Sequence, residues 1–540
     1  MADIIVITDG KKRRAAFREG ETYLALFRRA GIAVNAECGG LGTCGKCTIA
    51  LHKNGVTRYV PACRTAVDPS WTAEVPAQAP AVIEEEDAGS DAAKVGGKSA
   101  APDAAAAGRR GAGTASAAAG EEGAALPGGS SYTAAVDLGT STVAVRVFPS
   151  GCVRRRRTCT QWNAQRTYGA DVITRIQYIQ EHPEGLADLS QILWKQILKM
   201  ACGLLPEGAH LDRIFLAGNT IMQHIAAGLS PVGIAHAPFR PETLFTEDSF
   251  FPDPVSGTPV WYAPCAAGYV GGDITAGLYA SGLPRRRGTF LYLDIGTNGE
   301  MALIRDGRIT CCAAATGPAF EGSGIACGMT GVSGAISHVR WTGSTWQTDV
   351  IGGGKARGIC GSGLIELLAL LVRYHVISGN GRLLPPDELP LPWSQFMTAD
   401  KNGDAVLHLI GQICLTADDV RTLQLARAAV AAGIDVLLKE NGIGPAQIDE
   451  TILAGGFGTH LDPQSAADAG MLPAGLVSRT SAIGNASLAG ITAAAADAQA
   501  REEIRQIQES CTYLELSGSD LFSQSYLAHM DFYPEYDEEE

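Results

Sequence analysis

Short apolar runs broken by glycine-bearing turns dominate this chain, with helical periods set between them. Ile4–Ile7 is an apolar strand, Asp9-Gly10 a hairpin turn and Lys11–Phe17 a second strand. Thr22 is placed to cap a helix whose Leu24 and Phe27 face inward, and Gly31 to close it. Short strands are expected at Ile32–Val34, Thr48–His52 and Thr57–Val60. Further on, Arg213–Gly218 is a buried strand that gives way to a helix at Asn219–His224. Ala170–Gln180 is expected as a helix after the loop 163–169, and another helix opens at Gly271-Gly-Asp273. From Asp418-Asp419 a helix presents the inward stripe Val420, Leu423, Ala426, Val430, Ile434 and Leu437. Thr451–Ala454 is a strand, and Ser481–Ala498 a small-residue helix able to pack closely.

These patterns divide the chain. Residues 1–75 have the strand–strand–helix–strand order of a β-grasp sheet. Residues 76–130 are Ala-, Gly-, Pro- and Ser-rich without a helical or strand period, which predicts a flexible linker. A coil of that length lets the first domain swing over tens of ångströms. Residues 131–518 read as one α/β unit of two related halves, about 131–287 and 288–518, and 519–540 as an acidic tail ending Asp537–Glu540.

Composition narrows the function. The formal charge of −14 in 540 residues argues against nucleic acid or an anionic membrane as partner. The longest apolar run, Gly363–Val372, is interrupted by Glu366 and too short to span a bilayer. With no basic-plus-apolar leader at Met-Ala-Asp, a cytoplasmic protein is expected, its cysteines reduced or metal-bound.

Four of the 14 cysteines cluster as Cys38, Cys44, Cys47 and Cys63, spaced C-x5-C-x2-C-x15-C. Thiolates on a glycine-rich loop, with a fourth arriving after a distant strand, can surround an iron–sulfur cluster. Gly39, Gly40, Gly42 and Gly45 let the loop aim N–H groups at the sulfurs. A tetrahedral zinc site is the alternative, although Cys63 has no knuckle partner. The motif resembles plant-type and adrenodoxin-type [2Fe–2S] ferredoxins, with a first gap matching the second kind and a last gap shorter than either. Cys311, Cys312, Cys327 and Cys360 lack metal spacing and are expected as small buried hydrophobes.

The second candidate chemistry lies in a repeated hairpin. Leu291-Tyr-Leu-Asp-Ile-Gly-Thr-Asn-Gly-Glu-Met-Ala-Leu303 carries an apolar strand into Asp294 and a turn through Gly296, Thr297 and Asn298. Ala134–Val145 repeats it with Asp137, Gly139 and Thr140. A carboxylate delivered to a glycine-bearing turn suits a phosphate and its Mg²⁺, and two facing copies would clamp a nucleotide. Asp273 is a candidate third carboxylate. Glu321, amid glycines and Pro318, either orients metal or water or belongs to a structural turn. Gly358–Gly363 precedes a helix N-terminus of the anion-binding kind. Gly455 and Gly456 leave bare backbone against which a flat purine can lie. His224 is expected as a packing residue.

Together the two Asp-x-Gly-Thr hairpins and the Ala-Gly-Gly-Phe-Gly turn resemble the sugar kinase/Hsp70/actin (ASKHA) superfamily. The resemblance implies that Asp137, Thr140, Asp294, Thr297 and Asn298 meet phosphate and metal, with Gly455 and Gly456 against the nucleoside. With the fused ferredoxin-like domain, Leu-Ala-Gly-Asn-Thr-Ile-Met-Gln-His, Gly-Pro-Ala-Phe-Glu-Gly and Gly-Ile-Cys-Gly-Ser-Gly-Leu-Ile make the chain similar to the reductive activators of corrinoid proteins. That implies an ATP-hydrolysing enzyme returning Co(II) corrinoid to Co(I) for a methyltransferase system. It also implies a corrinoid protein and an upstream low-potential electron donor as partners, and a homodimer through the ATPase domain as an option. Longer members carry a folded middle domain, whereas here only linker is expected after the ferredoxin-like domain. A [4Fe–4S] activator type is excluded, since only Cys511 lies near the C-terminus. An electron donor to another low-potential metalloenzyme and a non-enzymatic nucleotide-binding sensor are the alternative classes.

Overall fold

The structure, a computed structural model, describes residues 2–8, 10–42, 44–76, 82–87, 131–153 and 155–532. The first domain is a five-stranded mixed sheet. Ala2–Thr8 lies between Lys11–Phe17, antiparallel, and Thr72–Glu74, parallel, and Thr48–Lys53 with Val56–Pro61 completes it. One helix, Tyr23–Arg29, crosses the sheet, with Thr22 accepting from the Ala25 N–H and burying Tyr23, Leu24, Leu26 and Phe27. Cross-sheet parallel pairing of the first and last strands around one helix is the expected β-grasp arrangement. Ile32–Val34 is not a strand. Its side chains are buried at Ile32 and Val34, but the Val34 N–H donates to Thr167 Oγ1 (3.3 Å) instead of to a sheet neighbour.

Val82–Asp87, expected as structureless linker, is a strand pairing antiparallel with Arg155–Trp162, with Glu85 opposite Arg157 and Glu86 opposite Arg156. Six residues are too few to show a period, and the free edge of Arg155–Trp162 decides their conformation by main-chain pairing. The rest of the expected linker from 77 to 81 and from 88 to 130 lies outside the described residues.

The remainder is built from two sheets of matching design. In the seven-stranded sheet the hairpin Ser131–Leu138/Thr142–Pro149 is flanked by antiparallel Arg155–Trp162 and by the parallel strands His210–Gly218 and Pro259–Tyr262. In the six-stranded sheet Thr289–Ile295/Gly299–Arg305 is flanked by antiparallel Arg308–Ala314 and by parallel Glu450–Ala454 and Thr480–Ala482. The duplication read from the two hairpins thus extends through five strands of each half.

Each sheet is covered by helices on its outer face. Gly185–Leu204 buries Leu189, Leu193, Trp194 and Ile197 on the first, and the whole stripe expected on Ala417–Glu440 is buried on the second. Between the sheets, Gly272–Ser281 and Ala486–Ala496 pack against each other. Their approach needs glycine: a Cβ on Gly490 would stand 1.9 Å from the Ala276 carbonyl oxygen. The small-residue helix is shorter than expected, because Thr480–Ala482 is drawn into the sheet and Asn485 caps the helix through the Leu488 N–H. Likewise Asp171 caps Val172–Glu181, so that helix begins after Ala170.

Residues 519–532, expected as part of an acidic tail, fold back. The helix Asp520–Ala528 packs on Ala417–Glu440, and Leu521, Phe522, Tyr526 and Phe532 join the core of the second half. Buried Arg427 holds this segment by donating to the Met530 and Asp531 carbonyls and lying 4.0 Å over the Phe532 ring. Among the described residues no helix is long and apolar enough to cross a membrane.

Candidate functional site

Two sites meet at one interface. The first is the cysteine loop. Gly39, Gly40, Gly42 and Gly45 all adopt positive φ, which lets the loop from Cys38 to Cys47 curl tightly enough to bring its sulfurs together. The four thiols stand as two pairs, Cys38–Cys44 and Cys47–Cys63, each with Sγ atoms 3.3 Å apart. Among the described residues no three His, Cys, Asp or Glu side chains are gathered tightly enough to enclose one metal ion. Two thiolates for each of two irons is the donor set of a [2Fe–2S] cluster, so the residues fit that group. Burial, then contact with Cys47, pushes the Cys63 thiol up to about 11, so binding a metal there releases protons.

The second site is the cleft between the halves. Asp137 and Asp294 end equivalent strands, ringed by protein yet each keeping a surface open to the cleft. Asp137 accepts from Asn485 Nδ2 (2.8 Å) and Ser487 Oγ (2.7 Å); burial raises its pKa, and these two bonds oppose the rise. Burial and then the Asp137 charge push Asp294 up to about 7. Asp273 and Glu300 join them, both raised well above the usual range by burial and by neighbouring carboxylates. Four carboxyls this close take up protons unless a cation is present to stabilise their charged forms, so the cleft favours one. Since no three of them close round a single ion, Mg²⁺ here would take one or two carboxylates and complete its shell with phosphate oxygens and water.

Gly455 belongs to this geometry in an unexpected way. Its φ is +78°, and a Cβ there would lie 2.4 Å from Asp294 Oδ1, so the glycine makes room for the carboxylate. Gly456 has open space beside it.

The hairpin turns come together in space. Ser141 Oγ and Thr297 Oγ1 are 3.4 Å apart, and Glu321 accepts from both, at 2.7 Å from Thr297. Asn298 donates to Glu300 (3.4 Å), and Gly296 O accepts from Thr316. The Thr140 carbonyl accepts from buried Arg175 (2.6 Å), whose guanidinium is brought down to about 9 by burial, and Gly139 O accepts from Asn163 (2.9 Å). The first of the Gly358–Gly363 glycines to enter the helix, Gly361, packs under Phe320 and Phe457, whose rings stack 5.0 Å apart. His224 is buried with Nδ1 on the Thr220 carbonyl (2.7 Å), a packing residue as expected. Cys311, Cys312 and Cys360 are buried, whereas Cys327 is half-buried with its sulfur 3.9 Å from that of Cys414.

The cluster domain is docked on the ATPase instead of standing apart on a tether. Arg28, lowered in pKa by burial, donates to Gly39 O and Thr167 O and lies over the Tyr168 ring at 4.8 Å. A cavity of about 330 Å³ lies between the domains, lined among others by Lys46, Trp162, Arg166 and Glu321.

Glu300, Asn485, Ser487, Ser141 and Arg175 were not singled out from sequence. Glu300 and Ser141 had a signal, since each lies inside a hairpin motif; Asn485, Ser487 and Arg175 are ordinary polar residues until the fold brings them to the cleft.

Residues 6–68 match the family description "2Fe-2S iron-sulfur cluster binding domain", residues 132–286 "RACo middle region" and residues 288–540 "C-terminal domain of RACo the ASKHA domain". The family's middle region thus coincides with the stretch expected as the first of the two related halves. The chain is 29% identical over 421 residues to "Corrinoid activation enzyme RamQ" of Eubacterium limosum, covering 74% of this chain and 70% of that protein. It is 23% identical over 439 residues to "[Co(II) methylated amine-specific corrinoid protein] reductase" of Methanosarcina barkeri, covering 74% and 77%. The solved "Reductive activator for corrinoid,iron-sulfur protein" superposes with a TM-score of 0.66 at 25% identity over 98% of both chains. The chain belongs to the RACo-like reductive activators, a [2Fe–2S] ferredoxin-type domain joined to an ASKHA ATPase.

Proposed function

We infer that this protein spends ATP to deliver one electron to the Co(II) corrinoid of a methyltransferase-system protein, returning it to Co(I). The single observation that carries the reading is the docking of the cysteine loop directly beside the paired nucleotide hairpins, which gives one chain both an electron carrier and an ATP-driven cleft. When bound to Cys38, Cys44, Cys47 and Cys63, the cluster supplies a one-electron carrier that an upstream low-potential donor refills. Asp137 and Asp294 would hold Mg²⁺, which would supply positive charge to the nucleotide; Thr140, Thr297 and Asn298 would offer donors to phosphate oxygens, and the bare backbone at Gly455 and Gly456 would take the nucleoside. Glu321, at the tip of both hairpins, accepts from the attacking water. Asn485 and Ser487 fix the Asp137 carboxylate.

Plant-type clusters lie near −400 mV, and corrinoid Co(II)/Co(I) couples are expected lower still. Each ~59 mV uphill for one electron is about 1.4 kcal/mol. ATP offsets this only if its cleft exists in two conformations with different affinity for nucleotide, the corrinoid partner favouring one of them. Two matching lobes joined through the helices Gly272–Ser281 and Ala486–Ala496 are built for such a motion. The test is Co(I) absorbance formed from a Co(II) corrinoid protein under excess reductant: it should require ATP, and the partner should stimulate ATP hydrolysis. Equal Co(I) formation without ATP would refute the reading.

A further inference from the structure

Glu37 immediately precedes the cluster residue Cys38, and it touches both halves of the ATPase. Its carbonyl accepts from the Ala170 N–H (3.2 Å) and its carboxylate faces Arg166 (3.8 Å), both in the first half. The same carboxylate accepts from Ser323 Oγ (3.1 Å) in the second half, and from Asn35 (3.0 Å) within its own domain.

Both ATPase contacts are one step from a nucleotide hairpin. Arg166 belongs to the short segment Ala164–Thr167 capped by Asn163, whose side chain donates to Gly139 O and whose N–H donates to Ser141 O (2.8 Å). Ser323 follows Glu321 by two residues on the tight turn after Pro318, its N–H bonded to the Pro318 carbonyl (3.1 Å), and Glu321 accepts from Thr297 and Ser141. A hydroxyl has one proton to donate. Phosphate oxygens that take these protons from Thr297 and Ser141 take them from Glu321, and the turn bearing Ser323 then loses its Glu321 bonds to both hairpins and keeps only the Thr316 bonds to the second.

We infer that Glu37 is the positioning residue through which the nucleotide hairpins govern docking of the cluster loop, and that a γ-phosphate between Thr297 and Ser141 loosens it. The inference rests on the ATP reading above. The cluster is thereby held against the ATPase until ATP is bound, and freed toward its redox partners afterwards.

The test is amide hydrogen exchange of residues 36–42 in the cluster-loaded full chain, with Mg²⁺ and either ADP or a non-hydrolysable ATP analogue. In the native chain the analogue should speed exchange about tenfold over ADP, because a local opening equilibrium is shifted. Glu37→Ala and, independently, Ser323→Ala should exchange fast with either nucleotide. ATP hydrolysis and the visible cluster spectrum should remain within about twofold of native, since neither side chain is a cluster ligand or bonds to a hairpin hydroxyl. Glu37→Gln, which keeps an acceptor for Ser323, should retain most of the nucleotide response. A native-sized response in both alanine variants would overturn the inference, as would a native chain that hydrolyses ATP with no change in loop exchange. A native chain without ATP turnover would overturn the functional reading itself.

Discussion

Asn485 donates to Asp137 across 348 positions of sequence, at 2.8 Å, while its side-chain oxygen caps the helix Ala486–Ala496 through the Leu488 N–H. One residue therefore fixes the first half's carboxylate to the helix that packs between the two sheets. With Ser487, it supplies neutral donors to an acid that burial disfavours.

Removing those donors should be felt in nucleotide handling. Each hydrogen bond to a charged group contributes about 1.5–3 kcal/mol. Asn485→Ala should lower kcat/KM for ATP roughly tenfold or more by that measure, and Asn485→Ala with Ser487→Ala further still. Steady-state phosphate release measures it, and an unchanged kcat/KM in the double variant would place the phosphate site elsewhere.

The cysteine pairs make a separate prediction. Cys→Ala at position 38, 44, 47 or 63 should each abolish the [2Fe–2S] visible spectrum and the stoichiometric iron and sulfide. Cys311→Ala and Cys360→Ala should leave both intact, because these thiols are buried away from the loop. Stoichiometric zinc without iron in anaerobically purified protein would end the cluster assignment.

Asp294 sets a pH dependence. Its folded pKa of about 7 is above its ordinary 3.8, so the folded state holds the proton more tightly. The stability it contributes is fully present below the ordinary value and is lost as pH rises through about 7. In chelated protein without nucleotide, Tm should fall between pH 5 and 8, and Asp294→Asn should flatten that fall. Mg²⁺ with ATP should flatten it too, by stabilising the carboxylate form. A Tm that falls as steeply in Asp294→Asn as in the native chain would remove Asp294 as the source. ATP hydrolysis by Asp294→Asn should collapse while the cluster spectrum survives.

Two glycines are predicted to be irreplaceable for different reasons. Gly455→Ala places a Cβ against Asp294 at a left-handed φ, so turnover should be lost with a modest change in Tm. Gly490→Ala drives a methyl into the Ala276 carbonyl, forcing the two central helices apart at a cost of about 1–3 kcal/mol. Its Tm should drop by several degrees on that scale, as calorimetry would record; an unshifted Tm would mean the helices separate freely.

The linker composition predicts tolerance outside the pairing strand. Replacing residues 90–125 with Gly/Ser of equal length should preserve Co(I) formation, because a coil supplies reach and not contacts. Replacing Val82–Asp87 as well should speed amide exchange along Arg155–Trp162, whose edge it pairs. Loss of Co(I) formation in the first replacement would assign specific contacts to that stretch.

By itself the sequence determined whatever a few neighbouring residues can encode. The Cys38–Cys63 spacing with its positive-φ glycines, the strand-to-turn motifs at Asp137 and Asp294, and the buried stripe of Ala417–Glu440 are of this kind, because each needs particular residue types at fixed short offsets. The tertiary structure alone decided which polar groups converge. Asn485 and Ser487 reach Asp137 only because the small-residue helix packs between the sheets, and Glu37 reaches Ser323 only because the cluster domain lies across both halves. The strand Val82–Asp87 and the helix Asp520–Ala528 were illegible for the same reason: short or charge-flanked segments have weak local preference, and a free sheet edge or an open apolar groove supplies the free energy that orders them.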